Sequence, residues 1–322
     1  MEGTCMSYKQ NRFGVHTPEG YQHRKRTIDI WVQSILKLMG ILAASMVVVI
    51  FVFIFKRGIA VFLPSYGPNQ ISLLDFLTGF VWEADKKIYG VLFIVINTVI
   101  TAFLAMLIAF PISVLTALFI SKIAPKNLSK LLTTVIEMLA AVPSVVYGVF
   151  ASGVIVPFVD EFATALGFST FGGRSMLAVV ILLAIMVLPT MTSLSIVSMN
   201  AVDKNLELGS LALGASSTQT NFKVVLTSAK SGITTGLILG LARAFGEATA
   251  VSMVAGNKPT GPTWSPFDIT RTLTSTMLSG MKETSGVDYD VRFSVGIVLM
   301  VIILISNLVI HAFKKKVGND GK

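Results

Sequence analysis

Six separate stretches of this chain are each long and apolar enough to cross a lipid bilayer. They run from about Ile30 to Phe55, Tyr89 to Ile120, Leu131 to Val159, Met176 to Met199, Ile233 to Ala255 and Phe293 to Phe313. A hydrocarbon core about 30 Å thick takes about 20 helical residues per crossing. Inside it, backbone amides must be satisfied within a helix or a closed barrel. The expected fold class is therefore an all-α integral membrane protein with six transmembrane helices. Composition agrees: 13% of residues are charged, against about a quarter in soluble domains, and the mean hydropathy is +0.76. The chain divides into a tail (residues 1–29), a transmembrane domain (30–313) and a second tail (314–322). The first span starts too deep, and is too long, for a cleaved leader. Pro111, Pro143 and Pro189 interrupt the second, third and fourth runs, so kinks are expected there.

Orientation follows from the cations. With six alternating spans, one side holds Lys9, Arg12, Arg24, Lys25 and Arg26, then Lys122, Lys126 and Lys130, then Lys204, Lys223 and Lys230, then Lys314, Lys315, Lys316 and Lys322. The opposite loops mix cations with Asp75, Glu83, Asp85, Asp160, Glu161, Asp268, Glu283, Asp288 and Asp290. The positive-inside rule then puts both termini in the cytoplasm.

Several function classes are excluded. The net charge of +9 follows those cytoplasmic loops, and no RNA-recognition signature or zinc-ligand spacing accompanies it, so nucleic acid is not an expected partner. Cys5 is the only cysteine, which rules out an intramolecular disulfide or a cysteine-cluster metal site. Neither GxxxxGK[ST] nor HExxH nor GxSxG occurs. The histidines His16, His23 and His311 are scattered. No catalytic residue, cofactor or metal is expected.

The stretch RAFGEATAVSMVAGN, Arg243 to Asn257, places two full charges in a run that is otherwise small and apolar. As an i, i+4 pair, Arg243 and Glu247 would share one helix face. Gly232, Gly236 and Gly240 precede them at the same spacing, within about 20° of that face. Small residues let a neighbouring helix or cavity wall approach, so the charges are expected to face protein, not lipid. A charge in hydrocarbon costs at least about 2.5–3.5 kcal/mol, and a guanidinium fork suits an oxyanion. Two readings follow: a station on an anion pathway, with Glu247 satisfying the arginine when no anion is present, or a structural ion pair locking span five. Glu137 is a third charge, near the cytoplasmic end of span three, and reads either as a helix-end contact or as part of the pathway.

Between spans four and five, residues 200–230 contain LELGSLALG, read as a short helix ending at Gly214. Leu206, Leu211 and Leu213 give it an apolar side, which suits either a membrane interface or a groove on a partner. The segment resembles the EAA loop of ABC-importer permeases. Gly214 stands at the motif's glycine, while Leu208, Gly209 and Ser210, followed by Leu211, occupy the Glu-Ala-Ala region, with Glu207 one place early. Val224, Leu226 and Thr227 fall where that family usually has Ile, Leu and Pro.

The run LGASSTQTNFKVVLTSAKSGITTGLILGLARAFGEATAVSMVAGN and the stretch EMLAAVPSVVYGVF resemble the permease subunits of the phosphate-specific ABC importer, in its C-type form. The resemblance covers most of the chain after about Ile28. It implies a prokaryotic cell membrane, a homologous A-type permease as partner, two copies of a cytoplasmic ATPase docked on the EAA-like helix, and an extracytoplasmic phosphate-binding protein. ATP would be bound by those partners. Arg243 and Glu247 match the charged pair implicated in phosphate passage in that family; Pro143, Ser144 and Tyr147 match its third-span signature, with Pro143 read as a helix break and Ser144 as the group that repairs a freed carbonyl. The alternatives are a permease for sulfate or molybdate, an ion-coupled secondary transporter and a membrane enzyme.

Overall fold

The computed structural model describes the backbone of residues 8–10 and 16–319 and the side chains of residues 28–68 and 70–312. Cys5, and the side chains of His16, His23 and the cations of both tails, lie outside the described residues. Two compact units result, Met1–Lys56 and Arg57–Lys322.

The first unit holds an antiparallel pair, β1 (Tyr8–Gln10) and β2 (His16–Pro18), with Tyr8 opposite Pro18. It continues into α1 (Glu19–Ala60). Every side chain from Ile28 to Phe53 is exposed. A helix that is apolar all round needs lipid or protein around it.

The second unit takes in the last turn of α1 and a 3₁₀ turn at Pro64–Asn69 before α2 (Leu73–Thr78) and the hairpin β3 (Trp82–Glu83) and β4 (Ile88–Tyr89). Next come α3 (Leu92–Leu118), which ends in a π-helical turn at Phe119–Ile123, and α4 (Lys126–Ala141). α5 (Ser144–Phe150) runs through another π-helical turn into α6 (Val156–Ala165), and α7 (Met176–Asn200) follows. The short α8 (Lys204–Ala212) precedes α9 (Ser217–Gln219), which a third π-helical turn joins to α10 (Leu226–Gly246). The chain closes with α11 (Thr249–Val254), α12 (Leu273–Leu278) and α13 (Val287–Asn319).

Six helical stretches of the described residues are long and apolar enough to span a membrane: Ile28–Ala60, Leu92–Ile123, Ser144–Ala165, Met176–Asn200, Ser217–Gly246 and Val287–Ala312. Two of the expected boundaries need correction. The apolar run from Leu131 to Val159 is not one helix. Pro143 has no N–H to give and crowds the preceding turn, and Val142 before it is extended (φ −64°, ψ 129°), as a residue preceding proline prefers. The chain is cut there into α4, outside the span, and the α5–α6 crossing. Span five likewise ends at Gly246, short of Ala255.

α3, α7 and α10 form the centre of the bundle. Ala102, Ala105 and Ala109 of α3 are buried with Val179, Leu182 and Val187 of α7. The glycines of α10 face α7: a Cβ on Gly232 would fall 2.0 Å from Ser198 Oγ, and one on Gly240 2.8 Å from both Met191 Sδ and Val187 Cγ1. At Gly236 the same atom would make ordinary contact, 3.5 Å from Leu194 Cβ.

The segment between α11 and α12 is tied to one end of this bundle. The amides of Met176 and Leu177, which α7 itself cannot satisfy, donate to the carbonyls of Asp268 (2.9 Å) and Pro266 (2.8 Å). Asn97, fully buried on α3, accepts from the Thr263 amide through Oδ1 (2.9 Å) and donates to its hydroxyl through Nδ2 (3.4 Å). The Trp82 amide donates to the Pro259 carbonyl (2.7 Å). Beneath it, the backbones of Gly79 and Gly90 touch so closely that a Cβ on Gly90 would fall 2.4 Å from the carbonyl carbon of Gly79. No rotamer relieves a backbone clash. Gly90→Ala is expected to destabilise by about 1–3 kcal/mol, as overpacking does, seen as a lowered melting temperature of the purified protein. Gly153→Ala, where nothing lies within 4 Å, is expected to leave it unchanged.

Candidate functional site

Arg243 lies in the last turn of α10, where a cation favours the negative end of the helix dipole. Its Nη1 donates to Thr190 Oγ1 of α7 at 2.9 Å. The guanidinium therefore points between helices. Close to Thr190 in the chain, two buried hydroxyls, Ser113 of α3 (3.2 Å) and Thr192 of α7 (2.8 Å), both donate to the Leu188 carbonyl, next to Pro189.

Glu247 is not the i, i+4 partner that the sequence spacing implies. α10 stops at Gly246, Glu247 is extended (φ −74°, ψ 116°), and the helix resumes at Thr249. No ion pair joins Arg243 and Glu247; the ion pairs among the described residues include neither. The Glu247 carboxylate accepts the Ala250 amide at 3.0 Å, and its carbonyl accepts the Thr274 hydroxyl at 2.7 Å. Each charge thus meets a helix end of opposite partial sign, Arg243 at the C-terminus of α10 and Glu247 just before the N-terminus of α11, where it accepts an amide of the first turn. The arginine is left without a carboxylate.

Glu137 sits on α4, before the Pro143 break, and is exposed. No described contact joins it to Arg243. Tyr147 carries a structural role expected of Ser144. Pro143 deprives the Leu139 carbonyl of its helical donor, and the Tyr147 hydroxyl supplies one at 2.9 Å.

The second cluster is α8 and its turn. Asp203 caps its start, accepting the Asn205 amide at 2.9 Å. Its end is a Schellman motif: Gly214 N–H donates to Leu211 O (3.0 Å) and Ala215 N–H to Ser210 O (3.2 Å), with Gly214 at φ +85°. Ser216 and Gln219 then form a capping box that starts the next helix. Two polar residues of α8, Glu207 and Ser210, turn inward, while Lys204 and Asn205 are exposed. Glu207 pairs with Lys122 at the end of α3 (2.5 Å), and Ser210 bonds Thr220 (2.9 Å). The leucines turn outward: Leu206, Leu208, Leu211 and Leu213 are all exposed, Leu213 by 91%. That polarity is the reverse of a helix bedded on its own core, and a clustered exposed apolar face marks an interaction surface. Gly209 lies on it with nothing near. Sequence reasoning missed Thr190 and Lys122, which carry no motif and are found only through their contacts.

Residues 109–319 match the family described as binding-protein-dependent transport system inner membrane component. Among curated proteins, a probable ABC transporter permease protein of Bacillus subtilis, YqgH, is 40% identical over 275 residues, 84% of this chain and 85% of the relative. The phosphate transport system permease protein PstC of Pasteurella multocida is 31% identical over 291 residues, 84% of this chain and 90% of the relative. A solved structure of a bacterial alginate ABC transporter shares the fold, with a TM-score of 0.61 over 90% of this chain and 96% of that one, at 15% identity.

Proposed function

This chain belongs to the family of binding-protein-dependent transport system inner membrane components, and from that premise we propose that it is the C-type permease subunit of an ATP-driven phosphate importer. It is a multi-pass protein of the cell membrane. Both termini face the cytoplasm, as the distribution of lysine and arginine supports. A homologous A-type permease completes the passage, two ATPase subunits dock on the α8 surface, and an extracytoplasmic binding protein delivers phosphate. The chain itself is not an enzyme; its sequence holds no P-loop, and ATP is turned over by the partners.

The observation that carries this reading is Arg243. Its guanidinium is held between helices by a neutral hydroxyl, not by an acid, in a chain whose relatives include phosphate permeases. A planar cation with unused donors is matched to a tetrahedral oxyanion. Thr190 fixes its direction without neutralising it, so an anion arriving there displaces no ion pair. The α8 surface supports the energetic half of the reading, since a secondary transporter has no use for an outward-facing apolar helix on a loop.

Reconstitution tests the whole. Proteoliposomes holding this chain alone are expected to accumulate no radiolabelled phosphate. Those holding both permeases and the ATPase, supplied with ATP inside and binding protein outside, are expected to accumulate it. Uptake by the isolated chain, driven by a proton or sodium gradient, overturns the assignment.

A further inference from the structure

The short helix α2 is polar along one side and apolar along the other. At about 100° per residue, Leu73, Leu74, Phe76 and Leu77 share one arc, and Ser72, Asp75 and Thr78 fall in the opposite one. Helices divided in this way lie at a membrane boundary. α2 is pinned across the start of α3, where the Val91 amide donates to the Phe76 carbonyl (2.7 Å) and the Leu92 amide to that of Gly79 (3.2 Å). Its polar arc lines a cavity of about 540 Å³ together with Gln70 and Lys87. Its apolar arc lines a second cavity, also of about 540 Å³, where Leu73, Phe76 and Leu77 meet Phe62, Val95 of α3 and Val301 of α13.

The second cavity suits an apolar occupant of limited length. No charged side chain lines it. Its one side-chain hydroxyl, that of buried Ser294, already donates to the Gly58 carbonyl at 2.7 Å. The hollow follows α13 from Ser294 to Ile302, a rise of about 12 Å at about 1.5 Å per residue. One leaflet of hydrocarbon is about 15 Å deep, half of the whole core. One turn before Ser294, Asp290 holds the half-exposed Arg57 at 3.1 Å and accepts the Tyr66 hydroxyl at 2.8 Å, so charge begins where the hollow ends. Ile59, Leu63, Leu73 and Leu77 on its wall are exposed, which leaves it open at the side. A helix about 10–12 Å wide that crossed the whole bilayer could not follow this hollow past α2, which lies across its upper end. A single hydrocarbon chain can enter beneath it.

We propose that this hollow is a lipid site, which holds one acyl chain of a phospholipid from the leaflet at which α3 and α13 begin. The head group stays at the level of Arg57 and Asp290, and the chain supplies the contacts that the facing walls of α2 and α13 would lack across an empty gap. The proposal needs only the membrane-spanning fold and is independent of the ion transported.

The test is native mass spectrometry of the full chain, purified from membranes in detergent with its co-purifying subunits and then stripped of lipid. Dioleoyl phosphatidylglycerol added to the micelles is expected to bind as one tightly held copy. Val301→Trp, which places an indole in the hollow, is expected to weaken that binding at least about tenfold, as overfilling a packed space does. Leu308→Trp, two turns further along the same face of α13 and likewise exposed, is expected to bind as the unaltered protein does. The absence of a tightly held copy, or equal binding by Val301→Trp and Leu308→Trp, overturns the site. If Val301→Trp does not assemble, Leu73→Gln with Leu77→Gln decides, because it makes the wall polar without filling the hollow, and unchanged binding then overturns the proposal. Loss of a co-purifying membrane subunit from Val301→Trp, with the lipid still bound, overturns it in favour of a partner's side chains.

Discussion

Arg243→Gln is expected to abolish phosphate uptake by the assembled complex, by about 100-fold or more, while both permeases and the ATPase still purify together. The magnitude follows from the geometry. A charge-assisted hydrogen bond is worth about 1.5–3 kcal/mol, and every 1.4 kcal/mol is a factor of about ten. Glutamine keeps a polar amide but ends two bonds short of Nη1, so the contact with Thr190 is lost together with the charge. Packing between these helices rests on Gly232 and Gly240, not on the arginine. The variant therefore separates a charge that serves the anion from a charge that serves the fold. Thr190→Val leaves the cation but releases its direction, and a decline of about tenfold in uptake with unchanged assembly is expected. Radiolabelled phosphate uptake in cells lacking other phosphate importers, with the complex quantified by co-purification, reads both variants. Full uptake by Arg243→Gln removes the arginine from the passage. Loss of assembly instead makes it the structural lock that the spacing alone also permitted.

How much of this was legible beforehand depends on whether the signal was local. Hydropathy is local, so the six crossings and the fold class follow from the chain without its contacts. The helix ends are not. The run Leu131–Val159 is apolar on both sides of Pro143, and reading it as one span gave too little weight to Lys126, Lys130 and Glu137, which make α4 a two-sided helix with Ile136 buried and Glu137 exposed. The break after Gly246 was less visible still. Glu, Ala and Thr continue the sequence, and nothing in their propensities stops a helix. The break is held by two contacts, the Thr274 hydroxyl on the Glu247 carbonyl and the Glu247 carboxylate on the Ala250 amide. One of these comes from 27 residues away in the chain. An i, i+4 spacing proves a shared face only if the helix is unbroken, so the expected pairing of Arg243 with Glu247 failed for that reason alone.

The second large effect is expected at α8. Gly214→Val is expected to strip the ATPase from the purified permeases, while the permeases themselves remain folded. Gly214 takes φ +85°, a conformation that costs an L-residue about 1–2 kcal/mol and a β-branched one more. Valine there opens the Schellman turn, frees the Leu211 and Ser210 carbonyls and loses the fixed angle between α8 and the helix that continues into α10. Nothing in the bundle core touches this turn, since Leu213 and Gly214 are exposed, so the damage stays at the surface. Leu208→Asp with Leu213→Asp attacks the same surface without altering the backbone, and is expected to give the same loss. Gly209→Ala is the control. It has a helical backbone and open space around it, so it is expected to keep the ATPase and to firm α8 by about 0.5–1 kcal/mol. Glu207→Gln breaks the pairing with Lys122 and is expected to spare ATPase binding but uncouple it, because that ion pair is what ties α8 to the end of α3. ATP hydrolysis would then continue with less phosphate moved per nucleotide. Retention of a coupled ATPase by both Gly214→Val and the double aspartate variant would show that the subunit docks elsewhere, and the outward leucines would then belong to the lipid interface.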